Sequence, residues 1–418
     1  MKSMAKASAG AVSTDQSNAL SKLLTYASEY SPYYRELLGH PVDREWTEIP
    51  FLTKETIRRC AEGLKSTDFK LGKVRQNTSG GSTGAPVEFW QDAEQKNWGA
   101  AGKMLFDSWT GYSPGMPKFV LWGSERDIFK GCHGWRGTMS RLIRNQVWFN
   151  AFRMSEARMG EAVGEINRLR PVQILAYAES LYSLARFIER EKLEVHSPRA
   201  VMVSAGTLFP YMREVLERVF RAPVFNRYGS REAGDMACSY EGSEELYVNP
   251  ATHFVEIIRP NGALAGSGEE GEIVVTVLRN RCMPLIRYRI GDIGCWAPEE
   301  FPRKLAWPCL LRVSGRVSDI FVNAAGDRIH GEYFTHLLYH RTWVKTFQIV
   351  QEAHEQLLVK IVKAHEPTSG TMEAFEAEFI EKSRKVMGEK CCVRFVYPTD
   401  IPPTSSGKFR YTLSKVAE

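Results

Sequence analysis

A segment rich in glycine and hydroxyl side chains has the composition of a phosphate-binding loop. It reads Asn-Thr-Ser-Gly-Gly-Ser-Thr-Gly-Ala-Pro over residues 77–86. Glycines let the backbone come close to a ligand, and successive N–H groups can then form a concave anion site. The segment lacks the spacing of a P-loop, because no lysine follows the glycines. A flexible Gly/Ser linker has the same composition, so this segment alone leaves both interpretations open.

Three other segments carry side chains suited to nucleotide chemistry. Tyr-Gly-Ser-Arg-Glu at 228–232 offers an aromatic ring for a base and a carboxylate near a metal-bound phosphate, although a buried structural tyrosine fits equally. Two arginines and an aspartate at 287–292 suggest oxyanion contacts and an acceptor for sugar hydroxyls, or else a surface salt-bridge cluster. Lys408, on a Ser/Gly-rich loop, can reach developing charge at a distant site, or belong to a frayed basic tail.

Composition indicates an ordinary globular chain. Its 418 residues predict two to three domains, and 43% hydrophobic with 25% charged residues gives no sign of disorder. The net charge of +6 is spread along the chain without a Lys/Arg block, so we expect no nucleic-acid partner. Eight cysteines without a C-x-x-C pair favour reduced thiols, and no apolar run has the length of a membrane span. These features predict a soluble, cytoplasmic protein without a membrane partner.

Strand and helix patterns alternate in the first half of the chain. This alternation predicts an α/β layered fold with a mainly parallel sheet, in which ligands bind beyond the carboxyl ends of strands. The predicted strands are 118–122, 172–177 and 200–204, and the predicted helices are 159–169, 179–191 and 210–220.

From about residue 254 the pattern becomes β-rich, and the last hundred or so residues form a separate α+β pattern. We therefore predict a disordered tail over residues 1–14, a large domain over 15–315 and a small domain over 316–418.

Taken in order, five motifs resemble the adenylate-forming superfamily of acyl-CoA ligases, adenylation domains and luciferases, and especially its phenylacetate–CoA ligase-like branch. The resemblance extends from about residue 20 to residue 414. It implies a large N-terminal domain with α/β and β-rich parts and a small, mobile α+β C-terminal domain. The motifs are Ser31–Arg35, Pro50–Lys54, Tyr228–Glu232, Met283–Asp292 and Gly326–Tyr333.

The family's roles apply where residues match. The loop 79–84 would grip the ATP β- and γ-phosphates, Tyr228 would stack on adenine, and Asp292 would bind the ribose hydroxyls. Glu232 would hold Mg²⁺, and Lys408 would bridge the carboxylate and the α-phosphate. Residues expected to bind ATP are Ser79, Gly80, Gly81, Ser82, Thr83, Gly84, Tyr228, Gly229, Ser230, Arg231, Asp292 and Arg316.

Other matched positions concern the domain hinge and the acyl substrate. Arg316 would sit at the hinge with Ser318 at the pivot, and the loop 326–329 would face the site in the second half-reaction. The substrate pocket would include Ser204, Ala205, Gly206, Trp122 and Trp135. The tryptophans would suit an aromatic or other apolar acid, and they fit core packing equally well.

Several positions depart from the family pattern. Ala85 stands where many members have lysine, Arg231 where serine or threonine is common, and Ser318 where the hinge is usually acidic.

Some relatives bind zinc through cysteine, histidine and a C-x-C pair. Here Cys238 and Cys309 remain, but Tyr247 stands at the histidine position and no C-x-C exists. A tetrahedral site needs four ligands. His253 or Cys295 could substitute, but we favour a lost zinc site.

The resemblance implies an ATP- and Mg²⁺-dependent ligase that activates a carboxylic acid as an acyl-adenylate, releases pyrophosphate and passes the acyl group to CoA. One alternative acceptor is an amine or a carrier-protein thiol in a biosynthetic pathway. A non-catalytic nucleotide-binding protein is a second alternative. The sequence leaves open the acid, the acceptor, zinc binding and a possible homodimer.

Overall fold

The computed structural model describes most of the chain. The described residues are 7–39, 42, 44–68, 74–78, 87–122, 145–151, 154–316, 320–326, 328–339, 341–368, 370–402 and 410–416. The chain divides into two compact units, Met1–Ser314 and Gly315–Glu418. Within the described residues, no helix combines the length and apolar character needed to cross a membrane.

In its described residues, the first unit begins with four helices, continues with strands and helices that largely alternate, and ends with seven consecutive strands. Its helices are α1 (Ala9–Tyr30), α2 (Pro32–Leu38), α3 (Lys54–Arg59), α4 (Ala61–Leu64), α5 (Ala93–Trp109), α6 (Glu156–Leu169), α7 (Ala178–Arg190) and α8 (Pro210–Phe220). Its strands are β1 (Arg75–Thr78), β2 (Glu88–Gln91), β3 (Lys118–Trp122), β4 (Gln146–Asn150), β5 (Gln173–Tyr177), β6 (Ala200–Ser204), β7 (Val224–Ser230), β8 (Gly234–Cys238), β9 (Leu246–Val248), β10 (His253–Ile258), β11 (Glu270–Val277), β12 (Tyr288–Trp296) and β13 (Cys309–Arg316), the last crossing into the second unit.

Eleven strands form one mixed sheet in the order β10-β11-β12-β13-β9-β8-β7-β6-β5-β3-β4. The strands from β4 to β7 are parallel, and pairing becomes antiparallel between β7 and β8. The parallel strands are apolar on both sides because helices cover both faces. β7 is therefore the strand at which the two halves of the sheet join.

Apolar side chains at helical spacing place α6, α7 and α8 on one face of the parallel strands. On α7, the buried residues Leu181, Leu184, Ala185 and Ile188 form one stripe. On the opposite face, α5 contributes Leu105 and Phe106 to a core with Val120, Leu175, Met202 and Phe225 of the sheet. The predicted fold class, a large domain with α/β and β-rich parts followed by a C-terminal domain, is confirmed.

The predicted tail over residues 1–14 is wrong for residues 9–14, because they form the first turns of α1. Ser8 caps this helix by accepting a hydrogen bond from the backbone N–H of Ala11, and Val12 is buried against the α5 side of the sheet. Residues 9–14 include Gly, Val, Ser and Thr, which are weak helix formers, so this part of α1 depends on the packing of Val12 against the sheet.

The second unit has its own core. Its strands are β14 (Ile320–Val322), β15 (Arg328–His330), β16 (Val344–Ala353), β17 (Gln356–Lys363), β18 (Cys392–Val396) and β19 (Thr412–Ser414), and its helices are α9 (Glu332–Tyr339) and α10 (Thr371–Met387). Four strands form a sheet in the order β18-β17-β16-β19. The α10 side chains Phe375 and Phe379 pack into the same cluster as Ile349 and Val359 of the sheet.

A buried ion pair anchors the chain before α3 to the antiparallel part of the sheet. Arg287 donates to both carboxylate oxygens of Glu256, over 3.2 Å and 3.0 Å. Its Nη1 also donates to the carbonyls of Trp46, Thr47 and Ile49. The suggested oxyanion contact is therefore wrong for Arg287, because its guanidinium is already saturated by structural acceptors.

Arg289 is also engaged by the surrounding protein. Its Nε lies 3.4 Å from Glu272 Oε2, and its guanidinium carbon lies 4.5 Å from the ring centre of Phe51. The alternative of a salt-bridge cluster, left open by the sequence, thus fits both arginines, although the Arg287 pair is buried rather than at the surface.

We expect Arg287→Met to lower the free energy of unfolding by about 3–5 kcal/mol, since it leaves Glu256 buried without its partner. Arg287→Met combined with Glu256→Gln should recover part of this loss. Arg312→Met, at an exposed pair with Glu270, should change stability by less than about 1 kcal/mol. Urea unfolding of the three variants measures these values, and equal losses for Arg287 and Arg312 would contradict the assigned role.

Candidate nucleotide site

Two predicted nucleotide-binding residues, far apart in sequence, are in direct contact. The Tyr228 hydroxyl donates a hydrogen bond of 2.8 Å to Oδ2 of Asp292. Tyr228 lies near the end of β7, and Asp292 lies in the middle of β12. Asp292 is only 8% exposed, so its carboxylate is held in place by the surrounding strand and by the Tyr228 hydroxyl.

Glu232 lies beside this pair at the turn after β7. It is 7% exposed, and its Oε1 accepts a hydrogen bond from the Tyr288 hydroxyl over 3.4 Å. A long hydrogen bond to one oxygen leaves the carboxylate with acceptor capacity, which a hard cation such as Mg²⁺ requires. The residue type and placement of Glu232 thus fit the predicted magnesium ligand.

The turn that carries Glu232 is held by hydrogen bonds from β2, from α5 and from within the turn itself. The Gln91 and Gln95 side chains donate to the carbonyls of Arg231 and Glu232, each over 3.5 Å. The Ser230 hydroxyl accepts from the backbone N–H of Ala233 over 3.1 Å, so it stabilises the turn. Arg231 itself is exposed.

Gly229 is required by close packing between β7 and β8. A Cβ atom at this position would lie 2.4 Å from the carbonyl oxygen of Gly234, a distance that real contacts do not allow. The glycine therefore lets β8 approach the backbone next to Tyr228. This structural role stands beside its predicted contribution to the ATP site.

Three predicted pocket residues follow the carboxyl ends of parallel strands. The buried Ser204 hydroxyl, at the end of β6, donates to the Arg227 carbonyl over 2.8 Å. Ala205 has φ of +64°, a left-handed conformation that is unusual for a residue with a side chain. Gly206 has room for a Cβ, since the nearest atom would lie 3.9 Å away.

Trp122 ends β3 and packs against a neighbouring aromatic ring. Its ring centre lies 4.4 Å from that of Tyr177, in an edge-to-face arrangement. Two aromatic rings therefore meet at the carboxyl ends of β3 and β5, and the role of Trp122 in a substrate pocket stays a prediction.

Other predicted site residues lie outside the described part of the chain. Residues 79–86 connect the antiparallel strands β1 and β2, whose pairing reaches Thr78 and Glu88. Arg316 is the last residue of β13. The predicted residues Ser79, Gly80, Gly81, Ser82, Thr83, Gly84, Trp135, Ser318 and Lys408 all fall outside the described ranges.

Three of the residues considered for zinc, Cys238, Tyr247 and Cys309, lie on neighbouring strands, and His253 lies on β10 at the edge of the sheet. Tyr247 is paired with Cys238 on one side and Cys309 on the other, and its hydroxyl accepts from the backbone of Lys304. Both ring nitrogens of His253 have partners, Thr252 and Ala233. Within the described ranges, no cluster of three or more His, Cys, Asp or Glu side chains could hold a metal ion.

Sequence reasoning missed Tyr288 and Arg227 as members of this region. In the sequence, Tyr288 lies between Arg287 and Arg289, and nothing local indicates a contact with Glu232. That contact depends on the curvature of the sheet. Arg227 directly precedes Tyr228, so strand alternation places the two side chains on opposite faces of β7. Arg227 instead lies near the predicted pocket residue Trp122, a contact that depends on the order of the strands in the sheet.

Comparison with solved structures shows the class of fold. A structure of 2-hydroxyisobutyryl-CoA ligase, in the postadenylation state in complex with R3-HIB-AMP, matches 95% of this chain and 88% of its own, with a TM-score of 0.73 and 18% identity. The amide bond synthetase McbA from Marinactinospora thermotolerans matches 80% of this chain and 66% of its own, with a TM-score of 0.55 and 16% identity. The chain shares its fold with these ligase and synthetase structures, as the motif resemblance implies.

A narrower likeness concerns the protein CapK. Residues 321–415 match the family of the CapK C-terminal domain. Protein CapK of Staphylococcus aureus is 23% identical over 420 aligned residues, which cover 96% of this chain and 89% of CapK. The phenylacetate–CoA ligase-like branch stays a prediction.

His253 gives the region near Glu232 a dependence on pH. Its Nε2 must donate to the Ala233 carbonyl (3.0 Å), so the neutral ring accepts from Thr252 at Nδ1. Burial lowers its pKa to about 4, although the Ala233 bond and the Asp235 charge act in the opposite direction. The folded protein therefore binds its proton less readily than the unfolded chain.

We expect this histidine to stabilise the fold fully above pH 6.5 and to lose that contribution as pH falls from 6.5 to 4, by roughly 1.4 kcal/mol per pH unit. His253→Gln keeps a donor and an acceptor but cannot titrate. Urea titrations should therefore show the parent protein more stable than His253→Gln at pH 6.5. This difference in the free energy of unfolding should shrink as the pH falls to 4.5. Parallel pH profiles for the two proteins would rule this assignment out.

Proposed function

We propose that this protein activates a carboxylic acid with ATP, forming an acyl-adenylate and releasing pyrophosphate. The observation that carries the proposal is the contact of Tyr228 with Asp292, next to Glu232. These are the residues that the motif resemblance assigns to adenine, ribose and Mg²⁺. A purely structural role does not require an aromatic ring and two buried carboxylates where β7 and β12 come together.

Each described residue has a definite task in this proposal. Tyr228 offers its ring face to the adenine, and its hydroxyl fixes the orientation of the Asp292 carboxylate. Asp292 accepts hydrogen bonds from the ribose hydroxyls, which are neutral donors matched to an anionic acceptor. Glu232 would hold Mg²⁺, which when bound offsets negative charge on the transferring phosphate.

The reaction has two group transfers. A carboxylate oxygen attacks the α-phosphorus of ATP, and the bond from that phosphorus to pyrophosphate breaks. An acceptor then attacks the acyl carbon of the adenylate, and AMP leaves with the bonding electrons. Lys408 is proposed to offset charge between the carboxylate and the α-phosphate in the first transfer only.

We propose CoA as the acceptor, with an amine or a carrier-protein thiol as the alternative. Similar folds occur both in a CoA ligase and in an amide bond synthetase, which makes the second acceptor class a real candidate. A nucleotide-binding protein without turnover is the remaining alternative. Ala85 and Arg231 favour it, while Glu232, Asp292 and Lys408 oppose it.

Carboxylate-dependent exchange between ATP and labelled pyrophosphate tests the proposal directly. We expect exchange with at least one class of acid in a broad panel, and dependence on Mg²⁺. Adding CoA, amines or a carrier protein to the active acid then identifies the acceptor by the product formed. A complete absence of exchange, in protein that still binds ATP, would favour the non-catalytic alternative.

We expect Lys408→Ala to reduce pyrophosphate exchange at least about 100-fold, because it removes a cation proposed to act on transition-state charge. Consumption of a pre-made acyl-adenylate with the acceptor should remain near the parent rate. Lys415→Ala is the matched control, since Lys415 is an exposed lysine that forms an ion pair with Glu352. Unchanged exchange in Lys408→Ala, or equal losses in both half-reactions, would refute the role of Lys408.

A further inference from the structure

Four side chains form a row across the carboxyl ends of the parallel strands. Strand register pairs Tyr177 of β5 with Ser204 of β6. Leu121 of β3 pairs with Ala176, so the next residue, Trp122, lies beside Tyr177 at one end of the row. Val203 pairs with Asn226 of β7, so the next residue, Arg227, lies beside Ser204 at the other end. Two residues earlier, the same strands face α5 through Val120, Leu175, Met202 and Phe225, so the row lies on the α5 side.

Arg227 is buried with little hydrogen bonding of its guanidinium. It is 4% exposed, and its Nη1 lies 3.5 Å from Oδ2 of Asp235. Its guanidinium carbon lies 5.6 Å from the ring centre of Trp122. The buried Nε of Arg227 has no hydrogen-bond partner among the described residues. A buried charged donor left in this state is costly, so it points to an acceptor supplied by a ligand.

Asp235 does not fully compensate this guanidinium. Its Oδ2 is shared with Lys103, whose Nζ lies 3.9 Å away. Although burial favours its neutral form, Arg227 and Lys103 hold the pKa of Asp235 below its usual value. Asp235 Oδ2 is likewise buried without a hydrogen-bond partner among the described residues, but this single carboxylate lies between two cations, Arg227 and Lys103. The resulting excess of positive charge favours an anionic ligand group over a cationic one.

We propose that Arg227 is a specificity-determining residue that selects acids carrying a second anionic group, with dicarboxylic acids as the substrate class. The inference rests on the proposed adenylation, with Arg227 beside the predicted pocket residues Trp122 and Ser204. The second carboxylate would accept from the Arg227 guanidinium, and the Trp122 and Tyr177 rings would pack against the apolar middle of the acid. This class differs from the purely apolar acid that the tryptophans alone suggest.

The test compares acids that share a carbon skeleton and end in a carboxylate, a methyl or an ammonium group. One set is adipate, hexanoate and aminohexanoate, and a second is terephthalate, toluate and aminomethylbenzoate. Pyrophosphate exchange by the parent protein should show a kcat/KM at least about 10-fold higher for the dicarboxylate in one or both sets. Arg227→Met should lower that value about 10- to 100-fold.

A selectivity role predicts changes that a structural role does not. Arg227→Met should leave the kcat/KM for the methyl-ended acid and the KM for ATP unchanged. The preference for the dicarboxylate should therefore be lost or reversed. Arg227→Lys should keep part of it. If Arg227→Met does not fold, the pairwise variant Arg227→Met with Asp235→Asn removes both buried charges and should show the same loss of preference.

Lys118 provides a matched control on the same face of the sheet. It is also 4% exposed and pairs with Asp107 over 2.9 Å, but it lies at the opposite end of β3 from Trp122. Lys118→Met with Asp107→Asn should therefore leave the ratio between acids unchanged.

The outcomes separate this inference from the proposed function. The inference would be overturned if the kcat/KM for methyl-ended acids equals or exceeds that for the dicarboxylates and Arg227→Met does not change it. The proposed adenylation would remain supported by that result. A preference for the ammonium-ended acids would have the same consequence. A lack of exchange with these and all other acids would overturn the proposed function, and the inference with it.

Discussion

The hydrogen bond between Tyr228 and Asp292 depends on closure of the antiparallel part of the sheet. Strands β8, β9 and β13 lie between β7 and β12 in the sheet order. In a flat sheet, β7 and β12 would be roughly 19 Å apart, given the usual spacing of neighbouring strands. Contact over 2.8 Å therefore requires strong curvature, which also brings Tyr288 to Glu232. The candidate site exists because the sheet bends between the strands that supply its residues.

The same bend needs support at its outer end. The Arg287–Glu256 pair attaches residues 46–49 to β10 and to the chain just before β12. Leu52 continues this attachment through backbone hydrogen bonds with Arg287 and Arg289. Arg287 has φ of +49°, so these contacts also hold a backbone conformation that is unfavourable for a side-chain-bearing residue. A motif that reads as oxyanion chemistry in the sequence thus stabilises the strand carrying Asp292.

Local patterns in the sequence predicted much of the fold and some of the site. Buried strands such as Ala200–Ser204 and helices such as Pro210–Phe220 were predictable because continuous apolar runs and helical spacings are local properties. The ordered motifs also predicted roles for Tyr228, Glu232 and Asp292, and the structure brings Tyr228 and Asp292 into contact. The partners of Arg287, Tyr288 and Arg227 were not predictable, because each contact joins segments distant in sequence and depends on sheet order or curvature. The start of α1 was missed because small residues form a helix there only with tertiary packing.

The central claim is that Tyr228, Glu232 and Asp292 form a nucleotide site, and the affinity for ATP tests it most directly. Calorimetric titration should show Mg²⁺–ATP binding to the parent protein and binding at least about 10-fold weaker for Asp292→Ala, from the loss of hydrogen bonds to a charged acceptor. Glu272→Ala, which removes the partner of Arg289 on β11, is the control and should bind as the parent does. Equal affinity of Asp292→Ala and the parent protein would contradict the account.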